Sequence, residues 1–314
     1  MKIAWLFPGQ GAQFVGMGRD VLDASASARS VFDRASEALG ASMTRLVLEG
    51  PESDLTLTAN AQPALVTTSM AILAAIRERY PHLPSPSCAA GHSLGEYSAL
   101  VATGALSLED AVRLVRARGR AMQDAVPAGV GAMAAILMVD AERVDAICAE
   151  AAQGEVVSAA NFNAPGQIVI AGHAGAVGRA SELAAREKGK AIALKVSAPF
   201  HCSLMAPAAR VVAQELGQVT VAPPAFPIIA NVDAQPNSDP GRVKDLLVRQ
   251  VDGAVRWEQT VQLMAEVGVT HALEIGPGKV LAGLCKRIAK DIAVLSVGDI
   301  TAIGQVGAFL SLGD

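Results

Sequence analysis

Along the first 127 residues, short apolar segments alternate with longer segments of helical periodicity. Residues 3–7 and 88–90 are apolar runs of strand length, whereas residues 28–39 and 63–79 carry apolar positions at helical spacing. Length and periodicity together distinguish the two kinds of element. Strands that are separated by helices favour a mainly parallel sheet with helices on both faces. This part of the chain therefore predicts an α/β domain.

A different order of elements begins after the Pro-Ala-Gly sequence at residues 127–129. The predicted elements, in chain order, are a strand at 131–139, a helix at 141–152, strands at 156–161 and 167–171, a helix at 176–188 and a strand at 191–196. The order βαββαβ is that of the ferredoxin-like arrangement. We therefore expect a small ferredoxin-like domain over residues 128–197, inserted into a larger one.

The alternation of strands and helices resumes after this segment. Its predicted elements are strands at 226–231 and 272–275, and helices at 242–250, 257–267 and 279–289. Residues 1–127 and 198–314 are then expected to form one discontinuous, α/β-hydrolase-like domain. A cleft between this domain and the insertion is the expected place for a binding site.

The composition describes a compact globular protein and argues against several functions. Of the 314 residues, 51% are hydrophobic and 18% are charged, and the net charge is −4 at pH 7. An acidic chain argues against nucleic acid as a partner, and no apolar run approaches the ~18 residues that a membrane span needs. The N-terminus lacks the small-residue cleavage site of a signal peptide. The four cysteines are far apart in the sequence, which suits a reducing cytoplasm and predicts neither a disulfide framework nor a metal site.

A Gly-x-Ser-x-Gly motif runs from Gly91 to Gly95, between a short apolar run and a helix-compatible run. In that context it predicts a nucleophile elbow, a sharp turn that exposes the Ser93 hydroxyl. The alternative, a glycine-rich turn without chemistry, stays open from the motif alone. The N–H of Leu94 and an N–H from the turn around Gln10 are candidates for an oxyanion hole.

A serine hydroxyl becomes a nucleophile only with a base within hydrogen-bond distance. Of the five histidines, His201 is the best candidate, because it lies where the chain returns from the insertion to the larger domain. A hydrogen-bonded structural histidine is the alternative. We interpret the adjacent Cys202 as a small buried side chain rather than a thiol nucleophile.

Arg118 interrupts the apolar face of a helix that is predicted to run from a Ser107 cap to about residue 125. The arginines at 113, 116 and 120 lie on the opposite, polar face. A buried guanidinium keeps its charge, and leaving it unpaired would cost several kcal/mol. Either a buried Asp or Glu or the carboxylate of a substrate must therefore face Arg118. The sequence leaves both possibilities open.

Taken together and in order, these motifs resemble those of the malonyl-CoA:acyl carrier protein transacylases. The resemblance extends over nearly the whole chain. The matching segments are Phe-Pro-Gly-Gln-Gly at 7–11, Gly-His-Ser-Leu-Gly-Glu-Tyr-Ser-Ala-Leu at 91–100, Arg-Gly at 118–119, Asn-Phe-Asn-Ala-Pro-Gly-Gln at 161–167, Pro-Phe-His at 199–201, Asn-Val-Asp at 231–233, Gln250, and Glu-Ile-Gly-Pro-Gly-Lys at 274–279.

The resemblance implies roles for the matching residues. Ser93 is expected to carry the acyl group as an ester, with His201 as its base and later its acid. Arg118 is expected to bind the free malonyl carboxylate. The main-chain N–H groups of Gln10 and Leu94 are expected to hold the oxyanion.

Other matching residues are expected to support this site. The main-chain carbonyl of Gln250 would orient the histidine, so that no acidic third member is needed. The residues expected to line or support the pocket are Asn231, Phe200, His92 and Asn161, and those suspected of docking the carrier protein are Lys286 and Arg287.

The implied activity is ping-pong transfer of a malonyl group from malonyl-CoA to the phosphopantetheine thiol of acyl carrier protein, in fatty acid biosynthesis. It requires no permanently bound cofactor, and we expect a cytoplasmic monomer. Three alternatives stay open: an acyltransferase that loads a polyketide synthase carrier, a serine hydrolase, and a catalytically silent subunit that binds the carrier.

Overall fold

The computed structural model describes residues 1–196 and 198–312. The expected boundary at residue 197 and the last two residues of the expected large domain lie outside this range. The strands of the described residues are β1 (Ile3–Phe7), β2 (Cys88–Gly91), β3 (Gly131–Leu137), β4 (Val157–Ala164), β5 (Gln167–His173), β6 (Lys190–Ala193), β7 (Ile228–Ile229), β8 (Pro236–Asn237), β9 (His271–Ile275) and β10 (Ala293–Val297).

The helices surround these strands. In chain order they are α1 (Arg19–Ala24), α2 (Ala26–Leu39), α3 (Met43–Glu49), α4 (Glu52–Thr56), α5 (Thr58–Arg79), α6 (Gly95–Ala102), α7 (Leu108–Asp124), α8 (Ala141–Ala152), α9 (Ala174–Arg186), a 3₁₀ turn (Ser203–Met205), α10 (Ala206–Gly217), α11 (Pro240–Asp252), α12 (Trp257–Glu266), α13 (Val280–Ile288) and α14 (Ile300–Phe309).

The larger sheet has six strands in the order β10-β9-β1-β2-β7-β8. All neighbouring strands are parallel except β7 and β8, which form an antiparallel pair at one edge. Along β1, Trp5 and Phe7 belong to one core cluster and Ala4 and Leu6 to another. Because successive side chains of a strand point to opposite faces, both faces of the sheet are buried. The predicted mainly parallel α/β sheet is therefore confirmed.

The smaller sheet is antiparallel, with the strand order β4-β5-β3-β6. The chain order is β3, α8, β4, β5, α9, β6, which is the predicted order βαββαβ. Its own apolar cluster lies between the sheet and the two helices, and includes Ile136, Ile147, Ile170 and Val177. A separate core is what a βαββαβ unit needs if it is to bury one face of its sheet.

Helix α5 corrects one expectation from the sequence. It has the length and mean hydropathy of a membrane span, and 83% of its most apolar window is buried inside the protein. The sequence shows a helix at 63–79 but no unbroken apolar run of this length, because Thr, Ser and Gln residues interrupt it. The helix packs against α2, α6 and α7 and is surrounded by other elements. It is therefore part of the core, which explains why no single face is polar.

The last third of the chain departs most from the prediction. The expected strand at 226–231 shortens to β7, because the main chain of Asn231 bonds elsewhere: its N–H donates to Glu96 Oε2 at 3.1 Å and its carbonyl accepts from the N–H of Arg256 at 2.9 Å. The elements after residue 198 that were not predicted at all are β8, β10, α10, α14 and the 3₁₀ turn.

Candidate active site

The Gly-x-Ser-x-Gly motif joins β2 to α6, so that Ser93 lies at the turn between a strand and a helix. Its φ of 53° is in the left-handed region, which non-glycine residues rarely adopt. A Cβ on Gly91 would lie 1.9 Å from the main-chain carbon of Gly95, and one on Gly95 would lie 2.2 Å from the carbonyl oxygen of Phe7. Only glycine fits at these two positions. The motif therefore has the geometry of a nucleophile elbow.

The structure brings His201 to the serine. Its Nε2 lies 2.7 Å from Ser93 Oγ, and its Nδ1 lies 2.9 Å from the main-chain oxygen of Gln250. A carbonyl oxygen can only accept, so Nδ1 carries the proton of the neutral ring and Nε2 accepts from the serine hydroxyl. His201 is buried and, like the serine, has a positive φ, of 61°. Two strained residues that face each other are characteristic of functional sites.

The environment keeps this imidazole neutral. Burial, reinforced by the positive charge of Arg118, lowers the pKa of His201 to about 3, while its hydrogen bond to the carbonyl of Gln250 opposes the shift. A neutral imidazole is the form that can accept a proton from a serine.

Arg118 lies in the same site, with only 1% of its surface exposed. Its Nη1 donates to Gln62 Oε1 at 2.8 Å, and its Nη2 donates to Gln250 Oε1 at 2.9 Å and to Ser93 Oγ at 3.1 Å. The ring of Tyr97 lies 5.7 Å from the guanidinium carbon. No Asp or Glu among the described residues forms a salt bridge with this arginine. Neutral oxygens therefore orient the guanidinium, and its charge is not directly paired.

Sequence reasoning missed the groups that surround this arginine. Gln62 lies in α5 among mostly apolar core residues, so nothing in the local sequence indicated that it contacts the site. Gln250 was singled out only for its main-chain carbonyl, yet its Nε2 donates to Glu96 Oε2 and to the main-chain oxygen of Ser93, both at 2.9 Å. Glu96 itself is buried in the first turn of α6. The sequence did contain a signal for Glu96, because it is the one charged residue in the otherwise mostly apolar sequence of α6.

Asn231, which was expected to support the site, fixes the elbow through hydrogen bonds to its main chain. Its Oδ1 accepts from the N–H of Ser93 and its Nδ2 donates to the carbonyl of Gly91, both at 2.7 Å. The buried Glu96 carboxyl accepts from the N–H of Asn231 as well. Burial raises the pKa of Glu96 to about 7, against the opposing effects of these hydrogen bonds and of Arg118.

The turn that contains Gln10 lies directly against the elbow. A Cβ on Gly9 would lie 2.4 Å from the carbonyl oxygen of His92, so the two turns touch through their main chains. Within the described residues, the N–H groups of Gln10 and Leu94 form no hydrogen bond. Two free main-chain donors beside the serine hydroxyl are what an oxyanion hole requires.

A cleft of about 500 Å³ opens in front of Ser93. Met133 from β3 and Asn161 from β4 of the smaller sheet line one side of it. The turns that follow β1 and β2 of the larger sheet, together with residues of α4, α5 and α7, line the other. The remaining predicted residues that line it are Gln10, His92, Arg118, Phe200 and His201. A cleft between two packed units is a common place for a ligand.

His92 and Asn161 are held firmly at this cleft. The Nε2 of His92 lies 2.8 Å from Asn163 Oδ1, and its ring lies 5.6 Å from that of Trp257. Burial lowers the pKa of His92, against the hydrogen bond to Asn163. Asn161 lies beside Val255 in a parallel bridge that joins β4 to the loop after α11.

The two suspected docking residues lie outside the residues that line this cleft. Arg287 donates to the side chain of Gln167 and, at 3.1 Å, to the carbonyl of Pro165, so it holds the turn between β4 and β5. Lys286 is exposed and lines a separate groove with Lys279 and Lys290. Among the described residues, no group of His, Cys, Asp and Glu has the arrangement of a metal site.

The sheet, the elbow and the hydrogen-bonded serine and histidine have the arrangement that is typical of enzymes with a serine nucleophile. The match to the acyl transferase domain family extends over residues 4–306, so the chain belongs to that family. The resemblance found in the sequence is thereby confirmed.

Individual relatives match nearly end to end. The chain is 46% identical over 311 residues to the malonyl CoA-acyl carrier protein transacylase of Haemophilus influenzae, covering 98% of this chain and 99% of that protein. It is 45% identical over 303 residues to that of Escherichia coli, covering 96% and 97%.

Solved structures of similar proteins match the fold of the whole chain. An acyl carrier protein S-malonyltransferase from Vibrio cholerae matches with a TM-score of 0.95 and 46% identity, over 98% of this chain and 100% of that one. A malonyl-transacylase solved in complex with a type II PKS acyl-carrier protein matches with a TM-score of 0.95 and 43% identity, over 99% and 100%.

Proposed function

We propose that the protein transfers the malonyl group of malonyl-CoA to the phosphopantetheine thiol of acyl carrier protein, through an ester on Ser93. The observation that carries the proposal is the buried guanidinium of Arg118, 3.1 Å from Ser93 Oγ and without an acidic partner in a salt bridge among the described residues. An acyl group with a free carboxylate supplies the missing charge. The names of the relatives agree with this assignment.

The first half-reaction forms the ester. Ser93 Oγ attacks the thioester carbonyl while its proton moves to Nε2 of His201. The N–H groups of Gln10 and Leu94 stabilise the negative charge on the carbonyl oxygen. The carbon–sulfur bond then breaks, and His201 returns the proton to the sulfur, so that coenzyme A leaves as a thiol.

The malonyl carboxylate also promotes this proton transfer. Arg118 and His201 both contact Ser93 Oγ, and the charge of the arginine lowers the pKa of the histidine. A bound carboxylate offsets that charge, so the imidazole becomes a better base when a dicarboxylic acyl group is present. An acetyl group has no such effect. Discrimination is then expressed partly in the chemical step and not only in binding.

The second half-reaction returns the serine. The carrier thiol gives its proton to His201 and its sulfur attacks the ester carbonyl. Ser93 Oγ leaves and recovers the proton. A polyketide carrier is the second candidate acceptor, because one structural relative is a complex with a type II PKS acyl-carrier protein. For docking of the carrier we propose Lys286 and Arg287, of which Lys286 is the freer side chain.

The remaining features of this proposal concern the molecule as a whole. We infer that residues 128–197 form a ferredoxin-like insertion in an α/β-hydrolase-like domain of residues 1–127 and 198–314. The observed βαββαβ order and the separate apolar cluster support this division. We also propose a cytoplasmic monomer without a permanent cofactor.

Intact mass spectrometry tests the proposal. After mixing with malonyl-CoA, the wild-type protein should gain one malonyl group and Ser93→Ala none. Addition of phosphopantetheinylated carrier should move the group to the carrier. Release of free malonate in place of transfer would indicate a hydrolase, and absence of any adduct would refute the proposal.

A further inference from the structure

Glu96 is a buried acid that the reaction above does not use. It lies beneath the elbow with 3% of its surface exposed, and its Oε2 faces two N–H donors, from Asn231 and Gln250. Among the described residues it forms no salt bridge. A carboxylate that faces donors only is best placed to accept hydrogen bonds as an anion.

The side-chain amide of Gln250 connects this acid to Arg118. Its Nε2 donates to Glu96 Oε2 and to the carbonyl of Ser93, while its Oε1 accepts from Arg118 Nη2. The two ends of an amide are nearly identical in shape, so charge decides which way the group faces. A carboxylate at one end and a guanidinium at the other favour the observed orientation and polarise the amide between them.

We propose that Glu96 is a positioning residue for Arg118, acting through the Gln250 side chain, and that it thereby sets the preference for acyl groups with a free carboxylate. The inference rests on the proposed function, since it deepens the role of Arg118 in that reaction. The separation of the two charges by one amide has a physical consequence. A direct ion pair would compete with the carboxylate of the substrate, whereas this arrangement orients the guanidinium and leaves its charge for the substrate.

The test replaces the acid by its amide. Glu96→Gln keeps the shape and removes the charge. Glu109→Gln is the matched control, because Glu109 is a half-buried acid of the Arg118 helix whose carboxylate pairs with Arg34 and not with any residue of the site. Rates of Ser93 loading from malonyl-CoA and acetyl-CoA are measured at pH 8, above the pKa of Glu96 of about 7. For Glu96→Gln we expect kcat/KM to fall ~10-fold or more with malonyl-CoA, mainly through KM, and to change less than about twofold with acetyl-CoA. The control should change neither.

A double-mutant cycle separates positioning from general damage to the fold. In an Arg118→Ala background, Glu96→Gln should cause no further loss with malonyl-CoA, because the residue through which it acts is gone. If Glu96→Gln is insoluble, Glu96→Asp serves instead, because the shorter side chain withdraws the carboxylate from the Nε2 of Gln250 and should show the same selective loss.

Two results would overturn the inference while leaving the proposed function intact. One is an equal loss with both acyl donors, and the other is an undiminished loss with malonyl-CoA in the Arg118→Ala background. A wild-type protein that fails to load malonyl at all would overturn both the inference and the proposed function.

Discussion

Arg118→Ala is the most direct perturbation of the proposed pairing between the Arg118 guanidinium and the malonyl carboxylate. The substitution removes a guanidinium that is 1% exposed and donates to Gln62, Gln250 and Ser93. Two buried amide oxygens lose their donor, at about 1–3 kcal/mol each. Removal of an incompletely paired buried charge offsets part of that cost. We therefore expect the variant to fold, with a modest change in the free energy of unfolding.

Its effect on the reaction is expected to be much larger. A malonyl carboxylate in this cleft would be buried without its counter-charge, and loss of one member of a buried charged pair costs about 2–5 kcal/mol. That range corresponds to a ~30-fold to ~5,000-fold fall in kcat/KM for malonyl-CoA. Acetyl-CoA has no carboxylate, so its loading should be preserved or improved.

Rapid-quench loading followed by intact mass measures both substrates in one format. Arg120→Ala is the matched control, since this arginine is exposed on the same helix. It should leave both rates within about twofold of wild type, as is usual for a surface substitution. Parallel losses with malonyl-CoA and acetyl-CoA in Arg118→Ala would refute the pairing of Arg118 with the malonyl carboxylate, because the residue would then serve the fold or the nucleophile in general.

Three further predictions follow from other parts of the site. The pKa of His201 falls from 6.5 in the unfolded chain to about 3 in the folded protein, so its stabilising contribution is complete above pH 6.5 and is lost as the pH falls toward 3. Between pH 7 and pH 5, urea unfolding should therefore show that the free energy of unfolding of the wild type falls by about 2 kcal/mol more than that of His201→Gln. Equal losses in the two proteins would contradict the lowered pKa of His201. Gly91→Ala should abolish soluble expression or Ser93 loading, because its Cβ would overlap the main chain of the elbow. The control Gly283→Ala should be neutral or slightly stabilising, because this residue lies in α13 and its added Cβ would have no neighbouring atom within 4 Å. A fully active Gly91→Ala would disprove the steric requirement. Lys286→Glu should slow transfer to the carrier several-fold and leave loading from malonyl-CoA unchanged, as expected for a charge at the rim of a protein interface. An unchanged transfer rate would show that Lys286 does not contact the carrier.

The sequence predicted the regular elements well where the hydrophobic periodicity and the capping or turn residues indicated the same boundaries. The strand at 3–7 and the helix at 141–152 have the predicted bounds, and the Ser107 side chain caps α7 as expected. Prediction failed where long-range contacts override local preference. The strand at 226–231 stops early because Asn231 uses its main chain for Glu96 and Arg256, which are distant in sequence.

The sequence by itself determined which residues have unusual chemistry. Glycines on either side of Ser93 and a permanently charged Arg118 on an apolar face are local facts, because turn sterics and helical periodicity depend only on neighbours in the chain. The family resemblance was equally visible from the motifs.

Only the tertiary structure decided how these residues act together. The contacts that bring His201 to Ser93, and Gln62, Gln250 and Glu96 around Arg118, join segments separated by as many as 154 residues in the chain. Whether Arg118 faced an internal acid or an open cleft depended on those contacts, and the structure places neutral amides there. Burial and pairing are properties of the packed chain, so no local pattern could reveal them.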